Sequence, residues 1–103
     1  MRLTRLQIQA IKRAVADHFG ADAQVWLFGS RTDDKRRGGD FDFYVETALD
    51  DPAEVIDRKL RVLAQLHATP DFEDEKIDLV IKPAIAGPYP PIYDRARRQG
   101  VRL

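Results

Sequence analysis

The residues in this chain best placed to do chemistry are a pair of carboxylates and a Gly-Ser dipeptide. Asp40 and Asp42 stand two apart at the mouth of an otherwise apolar run, Asp40-Phe41-Asp42-Phe43-Tyr44-Val45. In a strand they share a face about 6.5 Å apart along the chain, where like charges raise each other's pKa unless a cation sits between them. A divalent metal resolves that conflict. Two-metal phosphoryl-transfer sites hold their ions about 3.5 to 4 Å apart and clamp the attacking and leaving oxygens between them. Mg²⁺ is the default, because it takes oxygen ligands and binds together with substrate phosphates.

Gly29-Ser30 precedes Asp40 by nine intervening residues and ends an earlier apolar run, Val25 to Phe28. Gly29 lacks a Cβ and lets backbone approach a ligand closely. Ser30 is placed to cap a short helix, whose free N–H groups would face an anion. With Arg31 beside them and the Asp pair opposite, the natural occupant is a nucleoside triphosphate. A third acid, Asp78, stands alone in Ile77-Asp78-Leu79-Val80-Ile81, and a carboxylate in such company is rarely buried without a partner.

These residues need elements to position them. Thr4 and Gln7 form a capping box for a helix to Phe19, with Ile8, Ile11 and Val15 at helical spacing and Gly20 as its stop. Gln24 to Phe28 reads as a strand, with Val25 and Leu27 on one face and Trp26 and Phe28 on the other. Arg31 to Gly39 is a charged loop. Within it, Arg31 is the better phosphate candidate, Arg36 is open, and Arg37 is assigned to solvent. Asp40 to Glu46 is the second strand, with Asp40, Asp42 and Tyr44 on one face. Asp51 caps a second helix to Leu66, with Pro52 at its first position and Ile56, Leu60 and Leu63 as its expected buried stripe. Ala68 to Glu75 is a polar turn, and Lys76 to Ile81 a third strand. If that strand lies beside the second, as helix-linked neighbours usually do, Asp78 completes a three-carboxylate cluster. Pro91 or Ile92 to Gln99 is a last helix, closed by Gly100, with Val101 and Leu103 available to dock on the core. His18 and His67 read as helix-end residues, Trp26 as core, and Tyr89 and Tyr93 as packing of the Pro-rich connector.

Composition bounds the function. The chain of 103 residues, with 17 basic and 17 acidic side chains, fits one domain spanning 1–103. It lacks the broad basic surface of a duplex-binding protein. The loop Arg31 to Gly39 and the tail from Asp94 are net basic, while Asp50 to Asp78 is net acidic, which suits an anion near the loop. Without cysteine no thiolate zinc site is possible, a pattern that fits the reducing cytosol. No stretch approaches the ~20 apolar residues that span a bilayer, so the expectation is a cytoplasmic protein.

Gly29-Ser30, the Asp40-Phe41-Asp42 triplet and the later Asp78 together resemble the DNA polymerase β-like nucleotidyltransferase superfamily. By size the chain is similar to its minimal nucleotidyltransferase (MNT) branch. The final Ala96 to Leu103 also resembles that branch's last helix and turn. The chain departs from the pattern in having Thr32-Asp33 after Arg31 and Gly39 before Asp40. The resemblance implies an α/β (α+β) fold with a small mixed sheet flanked by helices. It also implies an enzyme that moves a nucleoside monophosphate, AMP from ATP, onto a hydroxyl. Asp40 and Asp42 would bridge two Mg²⁺ ions, Asp78 would hold the catalytic ion and help deprotonate the acceptor, and Gly29, Ser30 and Arg31 would hold the β and γ phosphates. Minimal members are typically antitoxins of HEPN ribonuclease toxins, so a HEPN partner modified on tyrosine is implied here. The reading from another class is a non-catalytic module that neutralises such a partner by contact. An RNA-binding accessory is disfavoured by the balanced charge and by the lack of an aromatic strand platform.

Overall fold

The computed structural model describes residues 1–33 and 39–103. The sequence readings of Arg36 and Arg37 fall outside the described residues. Helix α1 (Arg5–Phe19) starts at the expected capping box, in which Thr4 Oγ1 accepts from the Gln7 amide and Gln7 Oε1 accepts from the Thr4 amide, both at 3.0 Å. Strand β1 (Gln24–Phe28) follows and runs into a single 3-10 turn, Gly29–Thr32. Strand β2 is Phe41–Glu46, helix α2 is Pro52–His67, strand β3 is Ile77–Lys82, helix α3 is Pro91–Gln99, and strand β4 is Val101–Arg102.

The four strands form one open sheet in the order β3-β2-β1-β4. The β2–β3 pair is parallel, while β1 pairs antiparallel with both β2 and β4. The sheet is therefore mixed, and with its helices it makes the small α+β arrangement expected of a polymerase β-like nucleotidyltransferase fold. The parallel pair follows from its connection: α2 carries the chain back along the sheet so that β3 can start beside the start of β2.

Alternation along each strand separates two apolar layers. Val25, Leu27, Phe41, Phe43, Val45, Leu79 and Ile81 face α1 and α2 and form the main core. Trp26 and Tyr44 point to the other face, where α3 covers them through Ala96 and Tyr93. Trp26 is thus core, as read from the sequence. The site acids share this second face.

Three features differ from the sequence reading. In α2 the buried residues are Val55, Val62 and Leu66, whereas Ile56 and Leu60 are 61% and 60% exposed. Leu63 is only partly buried. The helix carries two overlapping apolar stripes, and docking against α1 selects one of them. Phe72, within the supposedly polar turn, is fully buried and sets its ring edge-on to Phe41 and Phe43, a burial worth about 1.5–3 kcal/mol. The tail is a strand rather than a loose docking segment: Val101 and Arg102 pair with Leu27 and Trp26, and the Leu103 amide donates to the Val25 carbonyl at 3.0 Å. Gly100 makes this return possible, because a Cβ there would crowd the Ala96 carbonyl and lie 2.9 Å from that of Leu27.

Candidate active site

Asp42 is the centre of the site. It stands on β2 with Phe28 of β1 as its register partner on one side and Asp78 of β3 on the other. Asp42 and Asp78 are thus direct neighbours on parallel strands, and both belong to the face that α3 only partly covers. Asp40 lies two residues earlier, just before β2 begins. The sequence reading required the three acids to gather on one sheet face; the register sets Asp42 beside Asp78, and Asp40 stands two residues before Asp42, outside the paired strand.

Their proximity shows in the electrostatics. The Asp42 carboxyl is held above the ordinary carboxylate pKa, first by burial, which disfavours its charged form, and then by the like charges of Asp78 and Asp40. Asp40 has a partner of its own, Lys76 Nζ at 3.7 Å from Oδ2. Lys76 is largely exposed and Asp40 about half exposed, so solvent screening leaves this contact weak. Among the described residues neither Asp42 nor Asp78 forms an ion pair.

Gly29 shapes the space around Asp42. It adopts φ +77°, and a Cβ on it would collide with Asp42 Oδ2 and lie 3.1 Å from Cγ. The close approach that the sequence suggested for a ligand is made in this structure to the carboxylate. The turn that begins here contains Ser30, so Ser30 lies within the short helix rather than ahead of it as a cap. Thr32 Oγ1 closes the turn by donating to the Gly29 carbonyl at 2.7 Å.

Arg31 links the turn to Gly39. Its Nε and Nη2 both donate to the Gly39 carbonyl at 3.3 Å, Nη1 donates to the Arg2 carbonyl at 3.5 Å, and its guanidinium lies 4.0 Å from the centroid of the Phe41 ring. Gly39 immediately precedes Asp40. Arg31 therefore ties the turn after β1 to the residue that launches the first acid.

Among the described residues no three His, Cys, Asp or Glu side chains are gathered tightly enough to hold a metal ion. The donor set still suits a hard divalent cation: it is all oxygen, all anionic, and its central member is cradled against a glycine where no side chain intrudes. His18 Nε2 lies 2.8 Å from Gln65 Oε1, and His67 Nε2 lies 3.0 Å from the Glu75 carbonyl.

Beyond Asp42 on the same face, β2 presents Tyr44 and Glu46, and the Tyr44 hydroxyl donates to Glu46 Oε2 at 2.7 Å. Burial and this hydrogen bond hold the Tyr44 proton far above the ordinary tyrosine range. Arg97 of α3 approaches the same carboxylate oxygen at 3.6 Å. The strand alternation could have placed Tyr44 and Glu46 beside the acids, but nothing in the local sequence points to Arg97, which arrives from a helix fifty residues away.

A family model described as a nucleotidyltransferase domain matches residues 8–100. A comparison with curated proteins finds no match.

Proposed function

Starting from a chain that belongs to the nucleotidyltransferase domain family, we propose that it transfers AMP from ATP to a hydroxyl group on a partner protein. The observation that carries this reading is the side-by-side register of Asp42 and Asp78, with Asp40 at the mouth of the same strand.

In this reading Asp40, Asp42 and Asp78 would hold Mg²⁺, which would supply charge neutralisation of the triphosphate and a lowered pKa for the acceptor hydroxyl. The rest is positioning by the protein. The backbone amides of the turn at Gly29, Ser30 and Arg31 bind the β and γ phosphates, and Asp78 takes the acceptor proton. The new bond joins the acceptor oxygen to the α phosphorus, the bond from that phosphorus to the bridging oxygen breaks, and pyrophosphate leaves. Catalysis rests on orientation and preorganised charge.

In this reading the acceptor hydroxyl is supplied by a partner protein. We take that partner to be a HEPN-type toxin, modified on a tyrosine and thereby silenced. Purified chain, candidate toxin, labelled ATP and Mg²⁺ test this directly: label on the toxin supports the enzyme, and none at any enzyme concentration refutes it. A second reading is neutralisation by contact alone, favoured by the exposed Ile56 and Leu60. Replacing Asp40 and Asp42 together by Asn separates the two, because the double variant silences a toxin only if contact suffices.

A further inference from the structure

A cavity of about 220 Å³ opens on the acid-bearing face of the sheet, between the ends of β2 and β3, the connector before α3, and α3 itself. Its walls include Tyr44, Glu46, Lys82, Tyr89, Tyr93 and Arg97. We propose that this cavity is the nucleoside subsite, holding the base of the nucleotide whose phosphates lie at Asp42 and Gly29. The inference rests on the nucleotidyl-transfer reading and extends it to a binding site on α3 and its connector.

Direction along the strand is the first support. Gly29 follows Phe28, the register partner of Asp42, so the proposed phosphate turn lies off the starting end of β2. Tyr44 and Glu46 lie the other way, about 7 and 13 Å beyond Asp42 at the rise of an extended strand. Lys82 is displaced from Asp78 by four residues in the same direction along parallel β3. An extended nucleotide has its terminal phosphate at one end and its base at the other, with the α phosphate between. Placed with that phosphate at the acids, it has its base over the cavity.

Chemistry is the second support. Pockets for small molecules are largely apolar and aromatic, with a few polar groups that fix orientation. Here Tyr93 stands at the centre of an aromatic cluster, its ring centroid 6.0 Å from those of both Tyr44 and Tyr89. Tyr89 is 46% exposed and carries Lys82 Nζ 4.6 Å from its ring centroid. The Glu46 carboxylate, oriented by Tyr44 and Arg97, is an acceptor suited to the exocyclic amine of a base, with rings beside it on which the base can lie.

The test compares ligands that differ only in possessing the nucleoside. Affinities of the native chain for ATP and for inorganic tripolyphosphate, both with Mg²⁺, are measured by calorimetry and repeated with Tyr89→Ala, Tyr93→Leu and Tyr93→Phe. The expected result is that ATP binds more tightly than tripolyphosphate by about tenfold or more, the size of one base–aromatic stack. Tyr89→Ala and Tyr93→Leu should erase most of that advantage without changing tripolyphosphate affinity, and Tyr93→Phe should keep it. Tyr89 is on the surface, so its variant remains informative if Tyr93→Leu fails to fold. Equal affinity of the native chain for the two ligands, or an ATP advantage that survives Tyr89→Ala and Tyr93→Leu, overturns the assignment. ATP binding unchanged by these variants while the Michaelis constant for the acceptor rises would give the cavity to the acceptor instead and overturn it equally. Failure of the native chain to bind either ligand would overturn the nucleotide reading itself, and this subsite with it.

Discussion

The Asp42 carboxylate occupies the space where a side chain on Gly29 would begin. Gly29 holds φ +77° and a Cβ there would run into Oδ2, so the glycine of the Gly-Ser pair is required by its own protein before any ligand arrives. Gly29→Ala should therefore displace the central acid. The left-handed backbone costs a non-glycine residue about 1–2 kcal/mol, or a melting point lower by roughly 4–15 °C in a domain of this size. The loss of transfer should be larger, about a hundredfold or more, because misplacement by an ångström at a reacting centre costs that much. Thermal denaturation and a single-turnover transfer assay on the same preparation check both.

Asp42 should also cost the metal-free protein stability. Its folded pKa lies above the ordinary value, raised by burial, Asp78 and Asp40, so between the unfolded and folded values the native state binds more protons and stability falls as pH rises. Below both values the penalty vanishes, and above the folded value it is complete. In EDTA, Asp42→Asn should melt higher than the native chain at neutral pH, and the gap should close as pH falls through the carboxylate range. The same substitution should abolish transfer.

Mg²⁺ provides the complementary measurement. If the acids hold the ion, millimolar Mg²⁺ should raise the native melting temperature by mass action and leave Asp42→Asn unmoved. A native chain indifferent to Mg²⁺ with and without ATP would count against the proposed ligands.

Two leucines on one helix should behave differently. Leu66 is fully buried and Leu60 is 60% exposed, so Leu66→Ala should cost about 2–5 kcal/mol and Leu60→Ala should fall within about 0.5 kcal/mol of no effect. Urea denaturation of the isolated chain distinguishes them. In the presence of a partner that uses this face, Leu60→Ala would instead weaken association.

The tail should be a structural strand. Val101 and Arg102 pair with β1, and the Leu103 amide bonds to the Val25 carbonyl. Removing residues 101–103 leaves that edge of β1 unpaired and open to other chains. The truncated protein should melt lower and should sediment with more aggregate than the full chain.

Much of this architecture was written in local patterns. Thr4 with Gln7, Asp51 with Pro52, and the alternation from Gln24 to Phe28 and from Asp40 to Glu46 act over a few residues, so caps, helix spans and strand faces could be read without knowing what packs against them. The acids Asp40, Asp42 and Asp78 were conspicuous for the same reason, since a carboxylate in an apolar strand is costly wherever that strand lies. The tertiary structure decided what depends on distant partners. It chose Val55, Val62 and Leu66 over Ile56 and Leu60, because α1 offers only one surface to an ambiguous helix. It buried Phe72 from within a charged turn, because the rings of Phe41 and Phe43 lay open to it. It turned Arg31 onto the Gly39 carbonyl, aligned Asp78 with Asp42, and brought Arg97 to Glu46. Those pairings join residues whose separation in the chain carries no periodic signal, and they exist only once the sheet has chosen its register.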